Sequence, residues 1–259
     1  MDTAWSSNIR VGRNMKEVKS VRITTIVDND VRKEGLASSW GLSFFVESLS
    51  DDKRHSVLMD TSGSFKAFFN NASKLGLDLP AIEAILISHW HGDHCGALSQ
   101  ILSLLKSQTS VYVPSENSSG IREIKGAGGV PVICHEPVEF IDGVMSTGEV
   151  PGGLSEHSLL FNVKEKGLVV LTGCSHPGLV NVLRRAQKAA GIEKIYAVMG
   201  GFHISGLNVG LKMGDFLRRL NVRIVSPCHC TSDDAKQGMA KIMKDRYIKN
   251  GSGKIITIG

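Results

Sequence analysis

Three histidines and an aspartate fall within six residues, His89-Trp90-His91-Gly92-Asp93-His94, the densest run of reactive side chains in the sequence. Neutral imidazole nitrogens and a carboxylate oxygen are the donors that zinc, manganese or iron(II) takes. Alternate spacing lets His89 and His91 face one ion, and Asp93 and His94 then turn toward a second. A lone loop histidine is more often solvated than ligating, but three in so short a run, with an aspartate between them, reverse that reading. The expected cofactors are therefore two divalent cations, zinc first, with manganese or iron as substitutes.

Such a cluster needs a rigid carrier. Ala84-Ile85-Leu86-Ile87-Ser88 is short, apolar and partly β-branched, and reads as a buried strand that delivers it. Gly92 permits the sharp turn. Leu98, Ile101, Leu102 and Leu105 are spaced as one helix face, so a helix over 96–106 is expected to begin at the metal residues. Upstream, strands are expected over 21–27, 42–46 and 56–59. Asp28-Asn29-Asp30 closes the first, either as a turn using Asx chemistry or as a loop offering Asp28 or Asn29 to a substrate. Residues 64–75 read as a helix with Phe65, Phe68, Phe69, Ala72 and Leu75 on one face and Gly76 as its stop. Short β runs fill 111–163, with mobile loops at 116–120 and 125–129. The second half alternates strands at 168–172, 195–199 and 222–225 with helices at 177–190, 207–220 and 232–248, and a last strand follows at 254–258. Metal-type residues stand at the strand ends, the pattern of two αβ halves around facing sheets.

At 259 residues and 42% hydrophobic content, one domain over 21–259 can bury its own core, with 1–20 as an irregular N-terminal arm. The five cysteines are odd in number, and three lie beside candidate metal histidines, which argues against a disulfide framework. Cys228 and Cys230 read as small residues flanking His229. No charged-then-apolar leader opens the sequence, and no apolar run approaches the roughly 18 residues of a membrane span, so a cytoplasmic protein is expected. The formal charge of +5 is mild, and no basic stripe interleaved with aromatics appears. Nucleic acid is therefore not the expected partner; an anionic small molecule is. Arg184-Arg185 and Arg218-Arg219 read as solvated helix faces.

The run His89–His94 fits the His-x-His-x-Asp-His signature and so resembles the metallo-β-lactamase superfamily. Met59-Asp60-Thr61 resembles its Asp-Thr-Gly strand end, with Ser62 intervening before Gly63. Thr172-Gly173-Cys174 resembles its Thr-Gly-Asp, with cysteine in the carboxylate's place. Val225-Ser226-Pro227-Cys228-His229 resembles the strand carrying the last metal histidine. The resemblance implies an α+β chain folded as a four-layer αβ/βα sandwich with a dinuclear metal site at one edge. Gly173-Cys174-Ser175-His176-Pro177-Gly178, Gly200-Gly201-Phe202-His203 and Pro227-Cys228-His229-Cys230-Thr231 resemble, more narrowly, the subfamily that includes the dihydropterin-ribofuranosylaminobenzene phosphate synthase of methanopterin biosynthesis.

That likeness assigns His229 to the second ion. For the last histidine of the first ion the superfamily pattern points to His157 and the subfamily pattern to His176. The latter is preferred, because Pro177 suits a helix's first position and would leave His176 at the N-cap. Cys174 either ligates as a thiolate or packs. His203 follows two glycines whose amides could cradle an anion, and Thr231 stands at a helix start. The catalytic candidates are Asp93, orienting an activated water, and His203, donating to a phosphate. Lowering a water pKa from 15.7 to about 7 is worth roughly 12 kcal/mol, more than a lone general base supplies. Metal-dependent hydrolysis is the generic expectation. The subfamily implies instead a transferase that joins a pterin methyl diphosphate to a ribosyl-aminobenzene phosphate, with Trp40, Trp90, Phe44 or Phe202 available to stack on a flat ring. His91, where the superfamily's diiron electron-transfer members carry Glu, argues against redox chemistry, and so full a ligand cluster argues against a non-catalytic metal binder.

Overall fold

β-Branched and aromatic runs form the first three strands, β1 (Ser20–Val27), β2 (Ser43–Ser50) and β3 (Lys53–Met59), which pair antiparallel in sequence order. The structure is a computed structural model that describes residues 15–259. Residues 1–14 of the expected arm lie outside the described residues, while Met15 and Val18 are buried and the Val18 amide donates to the Asn162 carbonyl. Helix α1 (Phe65–Leu75) starts where the Ser64 hydroxyl accepts from the Ala67 amide, and it stops at Gly76, whose φ of 65° suits glycine.

From β4 (Ile82–Leu86) onward the first half turns parallel. β4 lies parallel to β3, and β5 (Ser110–Val113) and β6 (Val130–Ile133) extend the sheet. The helix expected over 96–106 is instead two short pieces, α2 (Gly92–Cys95) and α3 (Leu98–Leu102). The Ala97 amide donates to Ser62 O and the Asp93 carbonyl accepts from the Leu42 amide, so tertiary bonds take the groups that a continuous ladder would pair. The loops expected at 116–120 and 125–129 are corrected in part: 118–120 and 125–126 are the ends of α4 (Ser118–Gly126), whose cap is the Asn117 side chain accepting from the Gly120 amide, while 116–117 and 127–129 are loop.

The second sheet holds β7 (Val138–Ile141), β8 (Val144–Ser146), β9 (Leu159–Val163) and β10 (Gly167–Thr172), then, after α5 (Leu179–Ala190), β11 (Ile195–Gly201), and, after α6 (Leu207–Arg219), β12 (Ile224–Cys228). Helix α7 (Asp233–Met243) ends five residues before the expected 248, at Lys244 with φ 52°. Strand β13 (Ile255–Ile258) returns to pair with β1. The orders are β13-β1-β2-β3-β4-β5-β6 and β12-β11-β10-β9-β8-β7.

Three apolar clusters define four layers. Phe44, Val46, Met59, Phe161, Val169 and Met199 fill the space between the sheets. Phe68, Ile85 and Ile101 seal α1, α3 and α4 onto the first sheet, and Val182, Leu217 and Met239 seal α5, α6 and α7 onto the second. This is the αβ/βα sandwich expected. Strands β3 and β4 run parallel in one sheet, as do β10, β11 and β12 in the other, and their carboxyl ends meet at one edge.

Candidate metal centre

The site gathers from the loops after six strands: Asp28 and Asn29 after β1, Asp60 after β3, His89 to His94 after β4, Cys174 to His176 after β10, His203 after β11 and His229 after β12. Their donor atoms fall into overlapping groups in which all atoms lie within 4.8 Å, including His89, His91 and His176, and also Asp93, His94 and His229. These are the six metal residues read from the sequence, brought together as two triplets.

The carboxylate of Asp60, fully buried, sets the first proton positions. It accepts from the Ser88 amide at 2.7 Å, from the Ser88 hydroxyl at 2.8 Å and from His94 Nδ1 at 2.7 Å. His89 Nδ1 lies 2.9 Å from the same Ser88 hydroxyl, which, already donating to Asp60, must accept. Both imidazoles are thus protonated on Nδ1 and turn Nε2 into the cleft. On the far wall His229 Nδ1 donates to Asn29 Oδ1 at 3.2 Å, while Asn29 Nδ2 donates to the His229 carbonyl and Asp28 Oδ1 accepts from the His229 amide. Of the two roles left open for this loop, Asn29 takes a structural one, holding His229.

Two Nε2 atoms, of His94 and His229, then face each other at 3.1 Å, with Asp93 Oδ2 also 3.1 Å from His229 Nε2. Two lone pairs and a carboxylate oxygen at that spacing repel unless a cation, or a proton in its stead, lies among them. The buried Nε2 atoms of His89 and His176 have no hydrogen-bond partner. Orphaned donors of this kind fit a divalent cation.

Electrostatics follow from burial and crowding. Burial, reinforced by His94, His176 and the other imidazoles, holds the His89 pKa far down, and burial with His203 and His91 lowers that of His176 to about 4. Burial also opposes charge on His94, but the Asp60 carboxylate, with Asp93 and Glu156, outweighs it and raises that pKa. The His229 side chain keeps the Asp93 carboxyl well below its usual range. Unprotonated His89 and His176 with ionised Asp93 are what cation binding requires.

The turn carrying Cys174 and His176 hangs from one buried carboxylate. Glu156 accepts from the amides of Cys174, Ser175 and His176 at 2.9, 2.8 and 2.8 Å. Sequence reasoning missed this role, since no local pattern links Glu156 to amides some twenty residues later. His157, the alternate ligand, is excluded: its Nδ1 pairs with Ser146 Oγ at 2.8 Å and its Nε2 donates to Ile87 O at 2.9 Å. Nor is His176 a helix cap, because α5 starts at Leu179 with Gly178 as its N-cap, whose φ of 88° suits glycine.

Three further expectations are corrected. Gly200 and Gly201 are no anion nest: Gly201 donates to Gly173 O, and a Cβ on Gly200 would lie 1.9 Å from Thr172 O, so the pair serves close strand packing. The Thr231 hydroxyl is engaged by the Phe202 amide. Arg185 is not solvated but donates through Nε to Thr147 O. His203 is exposed at the rim, its ring 4.5 Å from that of His176. Of the aromatic candidates, Phe44 and Phe202 are buried in core, and Trp90 donates to Ser115 O while packing on Gly120. Trp40 alone stands open, 65% exposed, with its ring 5.1 Å from that of His229.

The family model of the metallo-beta-lactamase superfamily matches residues 41–229. A curated relative from Methanocaldococcus jannaschii, 7,8-dihydropterin-6-methyl-4-(beta-D-ribofuranosyl)-aminobenzene-5'-phosphate synthase, is 25% identical over 94% of this chain and 98% of its own. A solved structure described as a metal-dependent hydrolase of the beta-lactamase superfamily is 26% identical, with a TM-score of 0.72 over 91% of this chain and 98% of that one. Human tRNase Z, short form, at 13% identity and a TM-score of 0.56 over 91% of this chain and 98% of that one, shares the fold alone.

Proposed function

The chain belongs to the metallo-beta-lactamase superfamily, a superfamily of enzymes, and from that premise we propose that it is a cytoplasmic hydrolase of a phosphorylated or otherwise anionic small molecule, working with two divalent cations, zinc first. His89, His91 and His176 would hold one cation, and Asp93, His94 and His229 the other. The observation that carries the reading is the pair of Nε2 atoms facing each other at 3.1 Å beside the Asp93 carboxylate. Bound cations supply Lewis acidity toward water and toward the substrate's oxygens. The protein's own part is orientation: Asp60 and Asn29 fix the tautomers of His94 and His229, Ser88 relays the same constraint to His89, and Glu156 holds the turn that presents His176. Asp93 keeps its negative charge at neutral pH and aligns the attacking group, and the exposed His203 donates to the substrate's anion.

A second reading, transfer onto a dihydropterin methyl diphosphate with loss of diphosphate, is supported by the full-length likeness to the M. jannaschii synthase and by Trp40, whose open face suits a flat heterocycle. The test is turnover by protein reconstituted with zinc or manganese on aryl phosphomonoester, phosphodiester and diphosphate probes. Cleavage lost at least 100-fold in His89→Ala and Asp93→Ala is the expected result. No cleavage of any probe, together with diphosphate release from the pterin diphosphate and ribofuranosylaminobenzene phosphate pair, would replace hydrolysis by the synthase reaction.

A further inference from the structure

Cys174 occupies the hub of the donor cluster. Its Sγ shares groups of donor atoms within 4.8 Å with His89 and His94, with His176 and His203, and with His229 and Cys230, and it stands 3.3 Å from His94 Nε2. Cys230 approaches from the loop after β12, its Sγ 3.6 Å from the Cys174 carbonyl. The remaining cysteine of that segment, Cys228, is buried in the core between the sheets, and Cys95 and Cys134 lie in none of these groups.

The inventory of donor atoms gives these two sulfurs a role. Two divalent cations need more ligand atoms than the histidines alone supply, yet among the described residues Asp93 is the one carboxylate in the clustered donor groups. Asp28, Asp60 and Glu156 add negative charge from behind but lie outside the donor groups, Asp28 holding the His229 amide, Asp60 holding His94 and Ser88, and Glu156 three backbone amides. Direct ligation then falls to the imidazoles, Asp93 and the sulfurs, and a coordinating thiol gives up its proton outright. We infer that Cys174 and Cys230 both ligate as thiolates, Cys174 centrally and Cys230 beside His229, so that the centre is a sulfur-bearing site selective for thiophilic cations such as zinc, cobalt(II) or iron(II) over manganese and magnesium. Each thiol loses one proton to solvent as the cation binds, and no oxidant or reductant takes part. The inference rests on the metal-dependent reading above and names the cation class that the same site takes.

Cobalt(II) distinguishes the two claims, because its visible ligand-field bands report any bound ion, whereas near-ultraviolet charge transfer reports thiolate alone. Wild-type protein titrated with cobalt is expected to show both. Cys174→Ser should remove more than half of the charge-transfer intensity and Cys230→Ser a substantial fraction, with visible bands retained, and Cys134→Ser should change neither. Cys174→Asp should improve manganese binding relative to cobalt at least tenfold. X-ray absorption on zinc-loaded wild-type protein gives a readout independent of how any variant folds, with sulfur expected at about 2.3 Å. Visible bands without charge transfer, a charge-transfer band untouched by either serine substitution, or a zinc shell of nitrogen and oxygen alone would overturn the thiolate assignment while leaving the metal centre standing. Absence of any cobalt spectrum would sink the metal-dependent reading itself.

Discussion

At the scale of single residues, the site depends on side chains set behind the donor atoms. Asp60 decides which imidazole nitrogens carry protons, directly at His94 and through Ser88 at His89. Outer partners of this kind are worth 10–100-fold in metal affinity. Asp60→Asn, which keeps the shape but offers an amide in place of one acceptor, should weaken cation binding by about that factor with secondary structure unchanged; a competition titration against a chromogenic chelator reads it. His157 illustrates the opposite case, a histidine made structural. Burial lowers its pKa from 6.5 to about 4, and its neutral form is fixed between the Ser146 hydroxyl and the Ile87 carbonyl. The unfolded chain therefore takes up this proton first as pH falls, so its contribution is complete above about pH 6.5 and is lost toward pH 4, amounting to about 3 kcal/mol at 1.36 kcal/mol per pH unit. His157→Gln, which can donate to Ile87 and accept from Ser146, should flatten the fall of the thermal midpoint across that window, and an unchanged slope would show that another group governs acid stability. The run His89 to His94 was legible because its chemistry is local. Asn29 and Glu156 were not, because each acts on backbone groups that only the fold brings near.

At the scale of elements, five non-glycine residues around the centre adopt the left-handed region, Asp60, Ser62, Ser175, His203 and His229, with φ between 47° and 64°. Conformations of this kind cost of order 1–3 kcal/mol each and persist where surrounding contacts over-determine them. They occur where strands end and side chains must turn sharply toward the cleft, so the strand ends act as rigid stems and the turns as aiming devices. Helix α4 lies outside this strained ring and separates stability from chemistry. Asn117 caps it and Gly120 admits the Trp90 ring, where an added Cβ would stand 2.2 Å from Trp90 Cζ3. Asn117→Ala should cost about 1 kcal/mol in chemical denaturation while leaving metal content unchanged; loss of metal would show that α4 braces the His89 to His94 loop. The periodic elements, such as α1 and the strands carrying the site, could be read from spacing and caps. The break between α2 and α3 could not, because the Ser62 carbonyl and the Leu42 amide intercept the local ladder, and α4 was concealed by the glycines and polar residues that loops also use.

At the scale of the whole molecule, the donors straddle two sheets. His89, His91, Asp93 and His94 project from the edge of the seven-stranded sheet, while Cys174, His176 and His229 project from the six-stranded one. No described helix is long and apolar enough to cross a membrane, and the apolar layer between the sheets, from Phe44 to Phe161, is what docks the halves away from the edge. At the edge itself the facing groups are imidazoles, a carboxylate and thiols, which without a cation oppose each other across the junction. A cation that binds only the folded state adds about 2.7 kcal/mol at a hundredfold excess over its Kd. For a chain of this length each kcal/mol moves the midpoint by about 2–4 °C, so chelation should lower it by roughly 5–10 °C and readdition of zinc should restore it. Because the loss acts at the junction, hydrogen exchange should rise first in the loops after β4, β10 and β12, not in β1, β2 or the interior of α1. Uniform loosening of all layers would mean that the cations stabilise the chain generally, and an unchanged midpoint after proven metal removal would mean that the apolar layer alone joins the sheets.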